Sequence, residues 1–192
     1  MCIKPANVDG AISRTIRNTG IWEENEVVKV MKMMELFPNA VFFDIGSNIG
    51  FVLLQLLYYL MDYIEGMYTV MVAAMSRRVV AVDPMKENID LIHRSLQRAK
   101  KRGLVSLINN AVSDKKTVYY PVLPTNRSWN PGATKLFEEK DLTSDLRKSI
   151  SGDPMESVTL RQLINFSKAK EVIIKMDVEV VFKNNFILIF LN

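Results

Sequence analysis

The sequence predicts an α/β domain with a mostly parallel sheet, and three observations indicate this class. Short apolar runs end in acidic or small residues, as strands buried inside a parallel sheet do. Segments with apolar residues at helical spacing lie between those runs. The chain has 192 residues, 48% of them hydrophobic and 24% charged, which is enough for one domain with its own core. We therefore expect residues 1–192 to form a single domain.

The first half of the chain predicts two helices and two strands. A helix is expected within residues 11–36, with an apolar stripe formed by Val27, Val30, Met31 and Met34. The apolar runs at 40–45 and 78–83 are expected to be strands. A second helix is expected at 86–102, with Gly103 as its C-terminal cap. Its apolar face consists of Ile89, Ile92, Leu96 and Ala99.

The second half of the chain continues the alternation of strands and helices. The run at 105–108 predicts a third strand, and residues 117–120 predict a short extra one. Residues 121–156 contain prolines, glycines and many polar side chains, so we expect a long irregular loop. A helix is expected at 157–167, and the run at 171–177 predicts the fourth main strand.

A glycine-containing segment directly follows the strand at 40–45. It contains Asp44, Gly46, Asn48 and Gly50. Glycines permit a tight turn and the close approach of a ligand, and ligands of open parallel sheets bind at the carboxyl ends of the strands. The spacing is G-x-x-x-G after an acid, not the G-x-G-x-x-G of dinucleotide sites, and an acid suits a ligand with an ammonium group and a sulfonium. A glycine turn of purely structural use is the alternative.

Two further motifs follow the next strands. Asp83 ends the strand at 78–83, where a carboxylate can accept hydrogen bonds from both hydroxyls of a ribose, although an isolated acid there is commonly a helix cap. Asn110 and Ala111 follow the run at 105–108, and a side-chain amide beside a backbone N–H can recognise the edge of an adenine. Because Asn, Ser and Asp are also common in turns for local reasons, this last motif alone does not identify a ligand.

Four motifs, in this order along the chain, resemble the FkbM family of methyltransferases. They are FDIGSNIG at 43–50, AVDP at 81–84, NAVSD at 110–114 and IKMDVE at 174–179. The resemblance spans about residues 12–179, with one interruption. It implies a Rossmann-like class I methyltransferase fold with a mostly parallel sheet and S-adenosyl-L-methionine as methyl donor. It also implies O-methyl transfer to a hydroxyl of a small molecule or sugar.

The resemblance also implies which residues of this chain form the site. Those from the first three motifs would bind the donor: Asp44, Gly46, Asn48 and Gly50 the methionine part, Asp83 the ribose, and Asn110 with Ala111 the adenine. The fourth motif would face the reacting methyl group. There we expect Asp177 to act as the base or to orient the acceptor hydroxyl, assisted by Glu179. No metal ion is implied.

Two stretches depart from the family pattern. Gly50 and Asp83 are 33 positions apart, whereas the acid is expected about 20 residues after a glycine loop. We expect residues 51–66 to be an insertion, because their removal joins Gly50 to a helical stripe of Met67, Val70, Met71 and Ala74. The tail at 180–192 is atypical, since the family pattern has glycine after Glu179. Our hypothesis is that both stretches are translated intron and that the sheet is incomplete at its C-terminal side, leaving the fourth strand at an edge.

Composition argues against several other classes. The net charge of +4 is mild and predicts no nucleic-acid partner, and the cations between Arg94 and Arg102 are interpreted as a solvated helix face. Cys2 and His93, the one cysteine and the one histidine, predict no zinc site of the usual kind. The apolar run at 51–61 is too short to cross a membrane. Since no signal-peptide pattern opens the chain, we expect it in the cytoplasm.

Two alternatives to the methyltransferase interpretation stay open at this point. The first is a non-catalytic truncated remnant, or a binding module that uses an exposed sheet edge. The second is a nicotinamide-dependent oxidoreductase, against which the missing G-x-G-x-x-G motif argues. Binding of S-adenosyl-L-methionine would support the methyltransferase, binding of NADH the oxidoreductase, and binding of neither the remnant.

Overall fold

The computed structural model describes residues 18, 24–47, 68–123, 134–176 and 186–190. Within them the helices are α1 (Glu24–Leu36), α2 (Tyr68–Ala74), α3 (Lys86–Arg98), α4 (Ser144–Lys148) and α5 (Leu160–Ser167). The strands are β1 (Val41–Ile45), β2 (Val79–Val82), β3 (Val105–Ile108), β4 (Ala111–Ser113), β5 (Val118–Val122), β6 (Lys135–Glu138), β7 (Met155–Thr159), β8 (Glu171–Met176) and β9 (Phe186–Phe190).

The larger sheet has the strand order β3-β2-β1-β8-β9 in the described part of the chain. The first four strands run parallel to one another, and β9 pairs with β8 in the antiparallel direction. The chain moves from β1 through β2 to β3 and later returns to β8 on the other side of β1. The strand order therefore reverses between β1 and β8, and such a reversal is where open α/β sheets form a ligand crevice.

The side chains of β1 alternate between two layers of core. Phe42 packs on one face with residues of α1, α2 and α3, and Phe43 packs on the other face with residues of α5. Both rings are buried. This alternation follows from the strand itself, because successive side chains point to opposite faces of a sheet. The parallel sheet is thus covered on both sides, which is why most residues of its strands are apolar.

A smaller mixed sheet with the order β4-β7-β5-β6 adjoins the second face. Strand β4 pairs with β7 in parallel, whereas β5 is antiparallel to both β7 and β6. The buried Ser157 of β7 ties the segment before β5 into this sheet, since its Oγ donates to the carbonyl oxygen of Lys115 at 2.8 Å. Val112 and Val158 pack against the core of the parallel sheet, so the two sheets share one apolar layer.

The predicted α/β class with a mostly parallel sheet is confirmed. The four main strands lie within about two residues of their predicted positions, and the predicted stripe of α1 is buried at Val27, Val30 and Met34. The expectation that the fourth main strand is left at an edge is wrong, because residues 186–190 of the tail form β9, which pairs with β8. This order of parallel strands is compatible with a Rossmann-like fold. In the described ranges, no helix is long and apolar enough to cross a membrane.

Three predictions about local structure are wrong. Gly103 does not cap α3, because the helix ends at Arg98 with Ala99 as its C-cap, and Lys100 takes the left-handed conformation, with φ of 54°. Residues 121–156 are not a loop throughout, since β6 and α4 form there. Pairing of β6 with β5 orders that segment, a long-range cause that composition does not show. The helix predicted at 157–167 begins only at Leu160, because β7 precedes it.

Candidate functional site

The turn after β1 is held in place by the neighbouring strand. Gly46 has a φ of 71°, a left-handed conformation that glycine adopts without the strain a Cβ would add. Its N–H donates to the carbonyl oxygen of Val82 at 2.9 Å, and the N–H of Ser47 donates to the same oxygen at 3.2 Å. The chain therefore turns sharply after β1, beside the carboxyl end of β2. A sharp turn at this glycine is what the sequence predicts.

Asp83 lies at the end of β2 with a buried, oriented carboxylate. Its Oδ1 accepts from the N–H of Met85 at 2.8 Å and from Nδ2 of Asn88 at 3.0 Å. Its own N–H donates to the carbonyl oxygen of Ile108 at 3.1 Å, which fixes the backbone against the end of β3. Asp83 thus stabilises the start of α3, the local role that sequence analysis weighed, and it also presents a carboxylate beside the Gly46 turn.

Asn88 is a site residue that the sequence analysis missed. It is buried in the first turn of α3, and its Nδ2 faces Asp83 because a carboxylate can only accept. Its Oδ1 is buried and has no hydrogen-bond partner among the described residues. Buried polar atoms are nearly always satisfied in folded proteins. The Asn88 Oδ1 is therefore an acceptor next to Asp83 that a water molecule or a ligand hydroxyl can satisfy.

Asp44 is wholly buried in β1, and a lysine of the adjacent strand lies opposite it. Asp44 and Lys175 are register partners of β1 and β8, and the lysine Nζ is 3.6 Å from the aspartate Oδ1. The other oxygen, Oδ2, accepts from Thr69 Oγ1 of α2 at 2.7 Å. The negative charge that sequence analysis assigned to the ligand is thus balanced inside the protein by a cation.

Lys175 connects this buried pair to the glycine turn. Its Nζ donates to the carbonyl oxygen of Gly46 at 3.2 Å and lies 5.1 Å from the centroid of the Tyr68 ring, within the range of a cation–π interaction. Lys175 is only 3% exposed. In the sequence, a single lysine within the apolar run EVIIKM of β8 indicates a buried cation. Its partner, Asp44, follows only from the strand register.

Asn110 and Ala111, which are predicted to bind adenine, lie at the start of β4. The Nδ2 of Asn110 donates to the carbonyl oxygen of Glu156 in β7 at 2.9 Å, so this amide joins the start of β4 to the neighbouring strand β7. Ala111 is buried in β4. The preceding residue, Asn109, contacts the candidate site instead, since its Nδ2 donates to the carbonyl oxygens of Asp83 and Pro84 at 3.0 and 2.9 Å.

The remaining predicted site residues stay predictions. Asn48, Gly50, Asp177 and Glu179 lie outside the described residues, as do the expected insertion at 51–66 and most of the tail. Within the described ranges, no group of three His, Cys, Asp or Glu side chains converges in a way that could hold a metal ion. The structure therefore brings together the ends of β1, β2, β3 and β8, with Asp44, Gly46 and Asp83 among them.

Together these observations define an α/β protein with a polar site at the carboxyl ends of its central parallel strands. No family model, curated protein or solved structure matches the chain.

Proposed function

We propose that this chain binds S-adenosyl-L-methionine and is an FkbM-type, Rossmann-like methyltransferase domain that acts on a hydroxyl group. One observation carries the proposal: the left-handed turn at Gly46 and the buried carboxylate of Asp83 lie side by side at the ends of adjacent central strands. A glycine turn lets a ligand approach the backbone, and a carboxylate at the end of the next strand can accept from ribose hydroxyls. The four sequence motifs supply the choice of nucleoside.

Asp83 would hold the ribose, and its orientation suits that role. Because Met85 and Asn88 donate to the same oxygen, Oδ1, the carboxylate is fixed before any ligand arrives. Hydrogen bonds to a charged acceptor are worth about 1.5–3 kcal/mol each, and a fixed acceptor loses little side-chain entropy on binding. The unsatisfied Oδ1 of Asn88 offers one more acceptor to the same hydroxyls.

Asp44 would act on the donor through Lys175 rather than by its own charge. The pair is close to neutral as a unit, so attraction for a sulfonium cannot rest on Asp44 alone. Lys175 holds the carbonyl of Gly46 and thereby fixes the turn that the methionine part would meet. When bound, the donor supplies an electrophilic methyl group. The chain's part is then to align the acceptor oxygen with it and to take up the hydroxyl proton, the role expected of Asp177.

Isothermal titration calorimetry of the whole chain tests the proposal. We expect saturable binding of S-adenosyl-L-methionine that is weakened about 10- to 100-fold by Asp83→Asn, the loss of one charge-assisted interaction. Asp90→Asn is the matched control, because Asp90 lies on α3, the helix that follows Asp83, and forms an ion pair with Lys86 at the surface. It should bind like the parent chain.

The other outcomes of the titration separate the alternatives. Binding of NADH without S-adenosyl-L-methionine would favour an oxidoreductase. A folded chain that binds neither S-adenosyl-L-methionine nor NADH would favour a non-catalytic remnant. If the parent and Asp83→Asn chains bind S-adenosyl-L-methionine with equal affinity, the donor site does not include Asp83.

A further inference from the structure

Basic residues cluster at the amino ends of the parallel strands, opposite the candidate site. Because β1, β2, β3 and β8 are parallel, the segments that lead into them lie together at this end of the sheet. We call the residues 35–40, 75–78, 98–104 and 166–171 the amino-edge surface. Its basic residues are Arg77, Arg78, Arg98, Lys100, Lys101, Arg102, Lys168 and Lys170.

The charge of this surface exceeds that of the whole protein. It contains eight basic residues and two acidic ones, Glu35 and Glu171, for a formal charge of +6, whereas the chain carries +4. The remaining residues therefore sum to −2. None of the eight cations forms an ion pair with an acidic side chain within the described part of the chain. Unpaired positive charge is thus clustered at the amino-edge surface.

Hydrogen bonds show that the four segments form one continuous surface. Arg77 donates to the carbonyl oxygen of Pro38. Arg78 donates to that of Ser167 at 2.9 Å, and Lys101 donates to Ser76 Oγ at 3.2 Å. Each bond joins two different segments, so the charges belong to one face and not to separate loops.

Two large apolar side chains project from the same edge. Leu36, the last residue of α1, is 73% exposed, and Phe166, near the end of α5, is 60% exposed. They are the two most exposed large apolar side chains among the described residues. Since α1 and α5 cover opposite faces of the sheet, Leu36 and Phe166 flank the basic residues on either side. Single exposed apolar residues are ordinary on protein surfaces, but here both lie beside the cations.

We infer that the amino-edge surface binds an anionic lipid bilayer. Clustered Lys and Arg are attracted to acidic headgroups, with about a fivefold gain in partitioning for each residue near the membrane surface. Exposed Leu and Phe side chains insert at the boundary between headgroups and acyl chains. A nucleic acid would use the same cations, but a leucine has no ring to stack on a base. The paired apolar residues favour the lipid surface.

The amino-edge surface and the candidate site lie at opposite ends of the parallel strands. The strands of the parallel sheet contain four to six residues, so the two edges are separated by about 13–20 Å at roughly 3.3 Å for each residue. Binding through the amino edge would leave the Gly46 turn and Asp83 on the side that faces water. Lipid binding through the amino-edge surface does not depend on which ligand occupies that site.

Vesicle flotation of the whole chain tests this inference. We expect the protein to float with vesicles of phosphatidylcholine mixed with phosphatidylserine, to float poorly with phosphatidylcholine alone, and to be released by high salt, which screens exposed charges. Neutralising four exposed cations, in the variant Arg98→Gln, Lys100→Gln, Lys168→Gln, Lys170→Gln, should weaken partitioning more than about 100-fold. The pair Leu36→Gln and Phe166→Gln should weaken it while leaving the charge unchanged.

A control variant with the same change in net charge makes the test specific. It carries four substitutions outside the amino-edge surface: Lys29→Gln, Lys116→Gln, Lys135→Gln and Arg161→Gln. We expect it to float like the parent chain. Equal losses in the two fourfold variants, or equal flotation with both lipid mixtures, would overturn the inference. Binding of single-stranded RNA without flotation would also overturn it, in favour of a nucleic-acid surface. If a variant fails to fold, the parent chain alone still tests the inference, because high salt should release it from the vesicles.

Discussion

Replacing Lys175 with methionine tests whether the buried pair holds the centre of the sheet together. The substitution keeps an unbranched side chain of similar length and removes the cation 3.6 Å from the Asp44 carboxylate. At an effective dielectric constant of about 20, two unit charges at this distance attract by about 4–5 kcal/mol. Both groups are almost completely buried, so water cannot take the place of the lost partner.

The expected result is a large loss of stability. Breaking a buried ion pair on one side costs about 3–5 kcal/mol, because the other charge stays buried without its counterion. That is a substantial fraction of the roughly 5–15 kcal/mol by which a domain is stable. The double variant, Asp44→Asn with Lys175→Met, removes both charges and should recover part of the loss. We expect a coupling free energy of at least about 1 kcal/mol between the two positions.

Urea denaturation followed by circular dichroism measures these free energies of unfolding. Lys135→Met is the matched control, since Lys135 also lies on a strand but is exposed, and its free energy of unfolding should change by less than about 0.5 kcal/mol. The reasoning is refuted if Lys175→Met loses less than about 1 kcal/mol. It is also refuted if the effects of the two single substitutions simply add in the double variant.

Three other predictions concern parts of the fold away from this pair. Thr159→Ala removes a capping box, in which Thr159 and Gln162 bond each other's backbone N–H, and should cost about 1 kcal/mol of unfolding free energy in urea. Phe42→Ala leaves a cavity in the main core and should cost about 3–5 kcal/mol in the same assay. The hydrogen bond from Lys115 lowers the pKa of Glu138, so its contribution to stability is present above the ordinary glutamate pKa and is lost as the pH falls through the lowered pKa. Urea midpoints of the parent and Glu138→Gln chains should therefore differ at neutral pH and converge in acid; a difference that does not depend on pH would contradict this.

The parallel sheet could be predicted from the sequence because its strands are buried on both faces. Such strands are continuous apolar runs, and Gly46 and Asp83 mark their carboxyl ends. The smaller sheet could not be predicted in the same way. Its strands β6 and β7 are only partly buried and contain charged residues, so their local composition does not distinguish them from a loop. They become strands through pairing with β5, which sequence patterns over short distances do not encode.

The candidate site was predicted in its position but not in its internal contacts. The ends of parallel strands meet at one edge, and this topological rule placed Gly46 and Asp83 together. Lys175 and Asn88 were missed because their roles depend on partners that only the folded structure brings near. Lys175 is 131 residues from Asp44 in the sequence but lies opposite it on the neighbouring strand. The charge of Asp44 predicts contact with a cationic ligand, whereas its counterion in β8 follows only from the strand register.

Hydrogen exchange measured by mass spectrometry, with and without S-adenosyl-L-methionine, tests the central claim directly, because it shows where a ligand binds. The account predicts slower exchange in peptides that cover residues 44–47 and 82–88, where backbone N–H groups of the Gly46 turn and the start of α3 surround Asp83. Residues 98–104, at the opposite edge of the sheet, should exchange at the same rate in both samples. Unchanged exchange throughout the chain at saturating ligand, or slowing confined to other segments, would contradict a donor site at the ends of β1 and β2.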